Sequence, residues 1–157
     1  MRRISSLAMI VVILIMMVAS AAGQDKLGHL KKYLNQYPDD EFLNLAEIKE
    51  PLTKLLGNEL KHFKQNMGVV IPMDFIQGHL VANGCMAHNC VYEKTILAIN
   101  LTSGKITVAI LSDCQHITIF SEVTDKYEFL PVAVKKWVEE SERDCHRKVN
   151  VRITLKK

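Results

Sequence analysis

The sequence predicts an α+β fold in which helices pack on an antiparallel β-sheet and a disulfide-closed loop protrudes from it. Three observations support this prediction. Apolar residues recur every three or four positions early in the chain, and segments rich in branched aliphatic residues follow, separated by turn formers. Cys85 and Cys90 lie between two of these segments. The predicted order is helices, then consecutive strands, then one helix and one strand. We expect these helices to pack on the sheet and bury one of its faces.

Residues 1–23 are predicted to be a secretory signal peptide. Arg2 and Arg3 are followed by an apolar run over residues 7–18 and then by small residues. The run is shorter than the ~20 apolar residues that span a membrane, which favours a cleaved signal over an uncleaved anchor. We therefore expect a periplasmic or secreted protein with no stable membrane anchor after processing, and a single domain over residues 24–157.

The net charge is small. The whole chain carries a formal charge of +3, which falls to +1 when Arg2 and Arg3 leave with the signal. Apart from the two terminal lysines, no long block of one sign remains. The composition therefore predicts no nucleic-acid partner.

The first elements of the exported part are predicted to be helices. Residues 27–37 place leucines and tyrosines on one helical face, and Pro38 ends the pattern. A second helical pattern covers residues 45–56 and is interrupted by Pro51. A short third helix is expected over residues 60–63.

The middle of the chain is predicted to form the sheet, because its segments combine branched aliphatic residues with bounding turn formers. The strand segments are residues 69–85, 91–101, 105–113, 116–122 and, at the end, 148–155. Gly104 closes a short hairpin turn. Residues 130–142 have helical spacing, with Trp137 expected in the core.

The four cysteines are expected to be paired, since an even count in an exported protein is more often bonded than free. Three pairings are open. The pairing of Cys85 with Cys90 is favoured because it closes a hairpin-like loop. Cys114 with Cys145 would then join a strand to a distant segment.

Enzymatic motifs are missing from the sequence. Asp113, Glu122, Asp125 and Glu128 show no spacing that marks a catalytic acid and nucleophile, so we interpret them as solvated. No phosphate loop, nucleophile elbow or two-histidine metal motif occurs. We predict a protein that is not an enzyme and that uses no cofactor. Similarly, His29, His62 and His146 are interpreted as surface residues.

The stretch "CMAHNC" admits three interpretations. Cys85, His88 and Cys90 could bind a metal with His79 or His116, but a single pair of cysteines at this spacing is unlike structural zinc sites. A redox disulfide would more often have two intervening residues. As a closed ring, the loop would have less conformational entropy, by an amount worth about 2 kcal/mol, and it would present His88 for binding. Alternatively, the disulfide only stabilises the tip of a hairpin.

These residues resemble a known family, the periplasmic inhibitors of vertebrate lysozyme, whose hallmark is a Cys-x-x-His-Asp-Cys loop. The resemblance also covers "GHLVANG", "TILAINLTSGKITVAILSD" and "LPVAVKKWVEE", roughly Leu55 to Glu140. It implies an inhibitory loop that enters the substrate cleft of a c-type lysozyme and places His88 near two carboxyl groups. The loop residues are Cys85, Met86, Ala87, His88, Asn89 and Cys90.

The resemblance leaves other targets and roles open. A lytic transglycosylase has a related glycan cleft, and a non-inhibitory envelope module could use the same fold. The sequence is compatible with a monomer or a homodimer. The chain also departs from the family pattern, which has aspartate at Asn89 and polar residues at Met86 and Ala87. Cys114 and Cys145 are additional, and residues 24–52 are poorly covered.

Overall fold

The computed structural model describes residues 25–156, so the predicted signal peptide lies outside the described residues. None of the helices within residues 25–156 is long and apolar enough to cross a membrane. The α+β class predicted from the sequence is confirmed, since one seven-stranded sheet is combined with helices that precede and follow the strands.

Short helices form the amino-terminal part. They are a 3-10 helix at Gly28–Tyr33, α1 at Asp40–Leu43, α2 at Ala46–Leu56, a 3-10 turn at Gly57–Glu59 and α3 at Leu60–Gln65. The first predicted helix is shorter than expected and is of 3-10 type. Leu27, Leu30 and Tyr33 are buried at intervals of three, the spacing at which side chains line up along a 3-10 helix.

Helix α2 follows the predicted span closely. Pro51 lies inside the helix without ending it. Gly57 caps the carboxyl end with φ of 56°, a left-handed conformation that glycine adopts without steric cost. Ile48 and Leu52 are buried on the face that meets the sheet.

Seven strands form one sheet in the order β1-β3-β4-β5-β6-β7, with β2 also paired to β3. Their bounds are β1 Val69–Val70, β2 Asp74–Ile76, β3 His79–Cys85, β4 Lys94–Asn100, β5 Ile106–Ser112, β6 His116–Ser121 and β7 Asn150–Leu155. Pairing is antiparallel except between β6 and β7, which are parallel. Parallel strands require a crossover connection. Helix α4, Val132–Asp144, lies between β6 and β7 in the chain and provides it. The sequence predicts an antiparallel sheet. This prediction is wrong for the last strand, β7, which pairs with β6 in parallel.

The sequence predicts one face of the sheet buried under helices, and the structure has helices packed on both faces. Leu97 on β4 packs with the amino-terminal helices, whereas its neighbours Ile96 and Ala98 pack with α4. Residues 95–99 are consequently all buried, as is typical of strands covered on both faces. Trp137 on α4 is 7% exposed, which confirms its predicted place in the core.

Candidate functional site

Both predicted disulfides are present in the structure, Cys85–Cys90 and Cys114–Cys145. Cys85 ends β3 and is paired across the sheet with Lys94, the first residue of β4. The connection between these strands, residues 86–93, therefore protrudes from the end of the sheet. We call residues 85–90 the ring.

The ring contains a tight turn that presents His88. The Asn89 N–H donates to the Met86 carbonyl over 2.9 Å, and His88 has φ of 63°. This left-handed conformation is uncommon for a residue with a side chain, although histidine adopts it more readily than most. Ala87 and His88 are exposed, whereas Met86 and Asn89 are half-buried. Within residues 25–156, the His88 imidazole has no hydrogen-bond partner.

The second disulfide lies directly behind the ring. The Val91 carbonyl oxygen is 3.2 Å from Cys114 Sγ and 3.8 Å from Cys145 Sγ. The Cys114 N–H donates to the Tyr92 carbonyl over 3.3 Å. The two cysteines that are additional to the simplest family pattern thus hold the chain that leaves the ring, while the Val91 and Tyr92 side chains stay exposed.

Glu93 lies at the base of the ring and was not singled out from the sequence. It is 8% exposed, and its Oε2 is 2.7 Å from His62 Nε2 on α3. His62 is half-buried, so its interpretation as a surface residue is corrected, while His29 and His146 are exposed as expected. The two partners are 31 positions apart, and no local spacing could reveal the pair. A glutamate at the start of an apolar strand was the one available signal.

An apolar groove of about 350 Å³ adjoins the ring on the α4 side of the sheet. Val81, Ile96 and Trp137 line it together with the Cys85–Cys90 bridge. Lys94 at its rim lies 2.7 Å from Asp144. The ring therefore stands beside a concave surface and not on a flat one.

Within the part of the chain that the structure describes, the residues of the alternative metal and redox sites do not form such a site. Cys85 and Cys90 are joined to each other and so offer no thiolate to a metal. His79 starts the strand that Cys85 ends, and His116 starts β6. Among residues 25–156, no group of three histidine, cysteine or acidic side chains could hold a metal ion.

The four acidic residues considered for catalysis do not form a site. Asp113, Asp125 and Glu128 are exposed. Glu122 is half-buried, and its Oε2 accepts the Ile106 N–H over 2.8 Å. This contact gives Glu122 a structural partner at the start of β5.

The fold and the site define a class of protein: an α+β domain that displays one histidine on a braced, disulfide-closed ring. The family model for the inhibitor of vertebrate lysozyme (Ivy) matches residues 47–144, more than half of the chain. The chain belongs to this family. The match confirms the resemblance inferred from "CMAHNC", and it reaches further into α2 than Leu55. The family that this model describes is one of lysozyme inhibitors.

One curated protein also shows similarity to the chain. The reverse gyrase of Pyrococcus horikoshii is 27% identical over 125 residues, which make up 79% of this chain. The matched region is 7% of the reverse gyrase, so the chain spans a small fraction of that protein's length. No solved structure matches the chain.

Proposed function

We propose that the chain is an exported inhibitor of a c-type lysozyme and that its ring enters the substrate cleft, with His88 beside the catalytic carboxyl groups. The observation that carries this proposal is the state of His88. Its imidazole is exposed at the tip of a closed ring and has no hydrogen-bond partner within residues 25–156. Its hydrogen-bonding capacity is therefore available to a partner.

The chemistry of the two partners is complementary. Lysozyme uses one protonated carboxylic acid in an apolar pocket and one ionised carboxylate. A neutral imidazole has one N–H donor and one nitrogen acceptor, so His88 can donate to the carboxylate and accept from the acid. Ala87 and the disulfide would fill space that the sugar otherwise occupies. The inhibitor performs no chemical step in this arrangement.

Rigidity supports tight binding by the ring. The disulfide lowers the conformational entropy of the free loop, which for this length corresponds to about 2 kcal/mol. The loop therefore does not lose this entropy when it binds a partner. The backbone of Asn89 closes the turn, with its N–H on the Met86 carbonyl and its carbonyl oxygen accepting from Tyr92 and Glu93. We infer that the turn does not need the charge of the aspartate found in the family pattern.

Export agrees with the two disulfides, because such bonds persist in oxidising compartments. We propose that residues 1–23 direct export and are removed, and that residues 24–157 act as one domain in the periplasm or outside the cell. A monomer and a homodimer are both compatible with insertion of the ring.

The decisive experiment measures cell-wall lysis by a c-type lysozyme in the presence of the oxidised protein, purified after export. We expect the native protein to slow lysis and His88→Ala to abolish the effect while remaining folded. His29→Ala, which removes an exposed histidine far from the ring, is the matched control and should inhibit like the native protein.

Each other outcome has a definite meaning. Equal inhibition by His88→Ala would contradict the role of His88. No inhibition by the native protein would contradict a lysozyme target, and a lytic transglycosylase would be assayed next. Failure against both enzymes would favour an interaction module in the envelope.

A further inference from the structure

Glu93 is a buried carboxylate at the base of the ring. Its side chain is 10% exposed, although glutamate is almost never buried unless it is paired. The residue takes no part in the proposed contact with an enzyme. Its burial therefore needs a different explanation.

Four hydrogen bonds converge on this residue. Its Oε2 pairs with His62 Nε2 at 2.7 Å, and its Oε1 accepts the Asp113 N–H over 3.1 Å. Its own N–H donates to the Asn89 carbonyl, and its carbonyl accepts the Met86 N–H, each over 2.9 Å. One residue thus joins two members of the ring to helix α3 and to the turn after β5.

The helix at the other end of this connection is itself fixed. Phe63, the neighbour of His62 on α3, is fully buried in the core. His62 Nδ1 also lies 3.5 Å from Glu59. The end of α3 packs tightly on β3, where a Cβ on Gly84 would come within 2.6 Å of the Asn66 carbonyl oxygen. The support for the ring therefore reaches into the core.

We propose that Glu93 and His62 are positioning residues that set the direction in which the ring leaves the sheet and so place His88 for insertion. The inference rests on the proposed function for its effect on inhibition, but the ordering of the ring can be measured without any enzyme. The two oxygens of this one carboxyl group make hydrogen bonds to two separate elements, α3 and the turn after β5. In a buried setting they hold a side chain in one geometry.

The first test compares three exported variants with the native protein. Glu93→Ala removes both side-chain bonds and is expected to weaken inhibition about tenfold or more, a loss of roughly 1.4 kcal/mol per tenfold. Glu93→Gln keeps an oxygen acceptor and a hydrogen-bonding group, and it should restore most of the inhibition. Glu47→Ala breaks a similar His–Glu pair, His29 with Glu47 at 2.8 Å, and should leave inhibition unchanged.

The second test is amide hydrogen exchange of the same variants without enzyme. In Glu93→Ala, we expect faster exchange at Met86 and Asn89 and unchanged exchange in the centre of β4 and β5. An even rise across the sheet, or a loss of inhibition that only follows the unfolded fraction, would overturn the proposal. If the native protein inhibits no enzyme, the proposed function fails separately, and the exchange pattern still decides whether Glu93 positions the ring.

Discussion

Gly84 on β3 lies against the chain that follows α3. A Cβ built on this residue would lie 2.6 Å from the Asn66 carbonyl oxygen and 2.9 Å from Met67 Sδ. The backbone oxygen cannot move aside without shifting the end of α3. The absence of a side chain at this position therefore keeps the helix, the strand and the adjacent ring in register.

We predict that Gly84→Ala destabilises the fold by about 1–3 kcal/mol, the usual cost of overpacking, and also weakens inhibition. Gly78→Ala is the matched control, because its Cβ would meet open space while its φ of 82° is strained for alanine. That variant should lose stability but keep inhibition, since it lies at the far end of β3 from the ring. Denaturant unfolding and the lysis assay measure the two effects. Equal inhibition by both variants would contradict this role for Gly84.

At the scale of elements, one hydrogen bond between two side chains connects the first 3-10 helix to α2. His29 Nε2 lies 2.8 Å from Glu47 Oε1, and this hydrogen bond lowers the pKa of Glu47 below its ordinary value of 4.5. A carboxyl group whose pKa is depressed by folding adds stability above its unfolded pKa, and this stability is lost as the pH falls through the folded pKa. The pair thus supports the docking of these helices only above the acid range.

We predict that His29→Ala lowers the free energy of unfolding by less than about 1 kcal/mol at neutral pH, because exposed pairs contribute little. The two side chains are 55% and 32% exposed. The difference from the native protein should shrink as the pH falls below 4.5, the ordinary pKa of Glu47. Unfolding curves at several pH values measure it. A difference that grows toward acid would contradict the assigned direction of the pKa shift.

At the scale of the whole molecule, the sequence predicts features that depend on local spacing. The hairpin turn with Gly104 at φ of 74°, the amphipathic helix α4 and the ring disulfide all follow from residues close together in the chain. The parallel pairing of β7 with β6 and the pair of Glu93 with His62 depend on distant segments. The uninterrupted apolar run in β4 is local too, and it is typical of a strand that is buried on both faces.

We expect the two disulfides to contribute differently to stability and to the proposed inhibition. The Cys114–Cys145 bridge spans 31 positions and the Cys85–Cys90 bridge spans 5. Chain-entropy estimates of their contributions are about 4 and about 2 kcal/mol. The double variant Cys114→Ser/Cys145→Ser should therefore lose more unfolding free energy than Cys85→Ser/Cys90→Ser.

We predict the opposite order for inhibition once both variants are assayed where they remain folded. Opening the ring frees the turn that carries His88, whereas loss of the second bridge leaves that turn closed and removes only the support behind Val91. Denaturant unfolding gives the stability and titration of lysis gives the inhibition constant. If opening the ring reduced stability and inhibition in the same proportion, the Cys85–Cys90 bond would be a staple of the fold, and the ring would lose its separate role in binding.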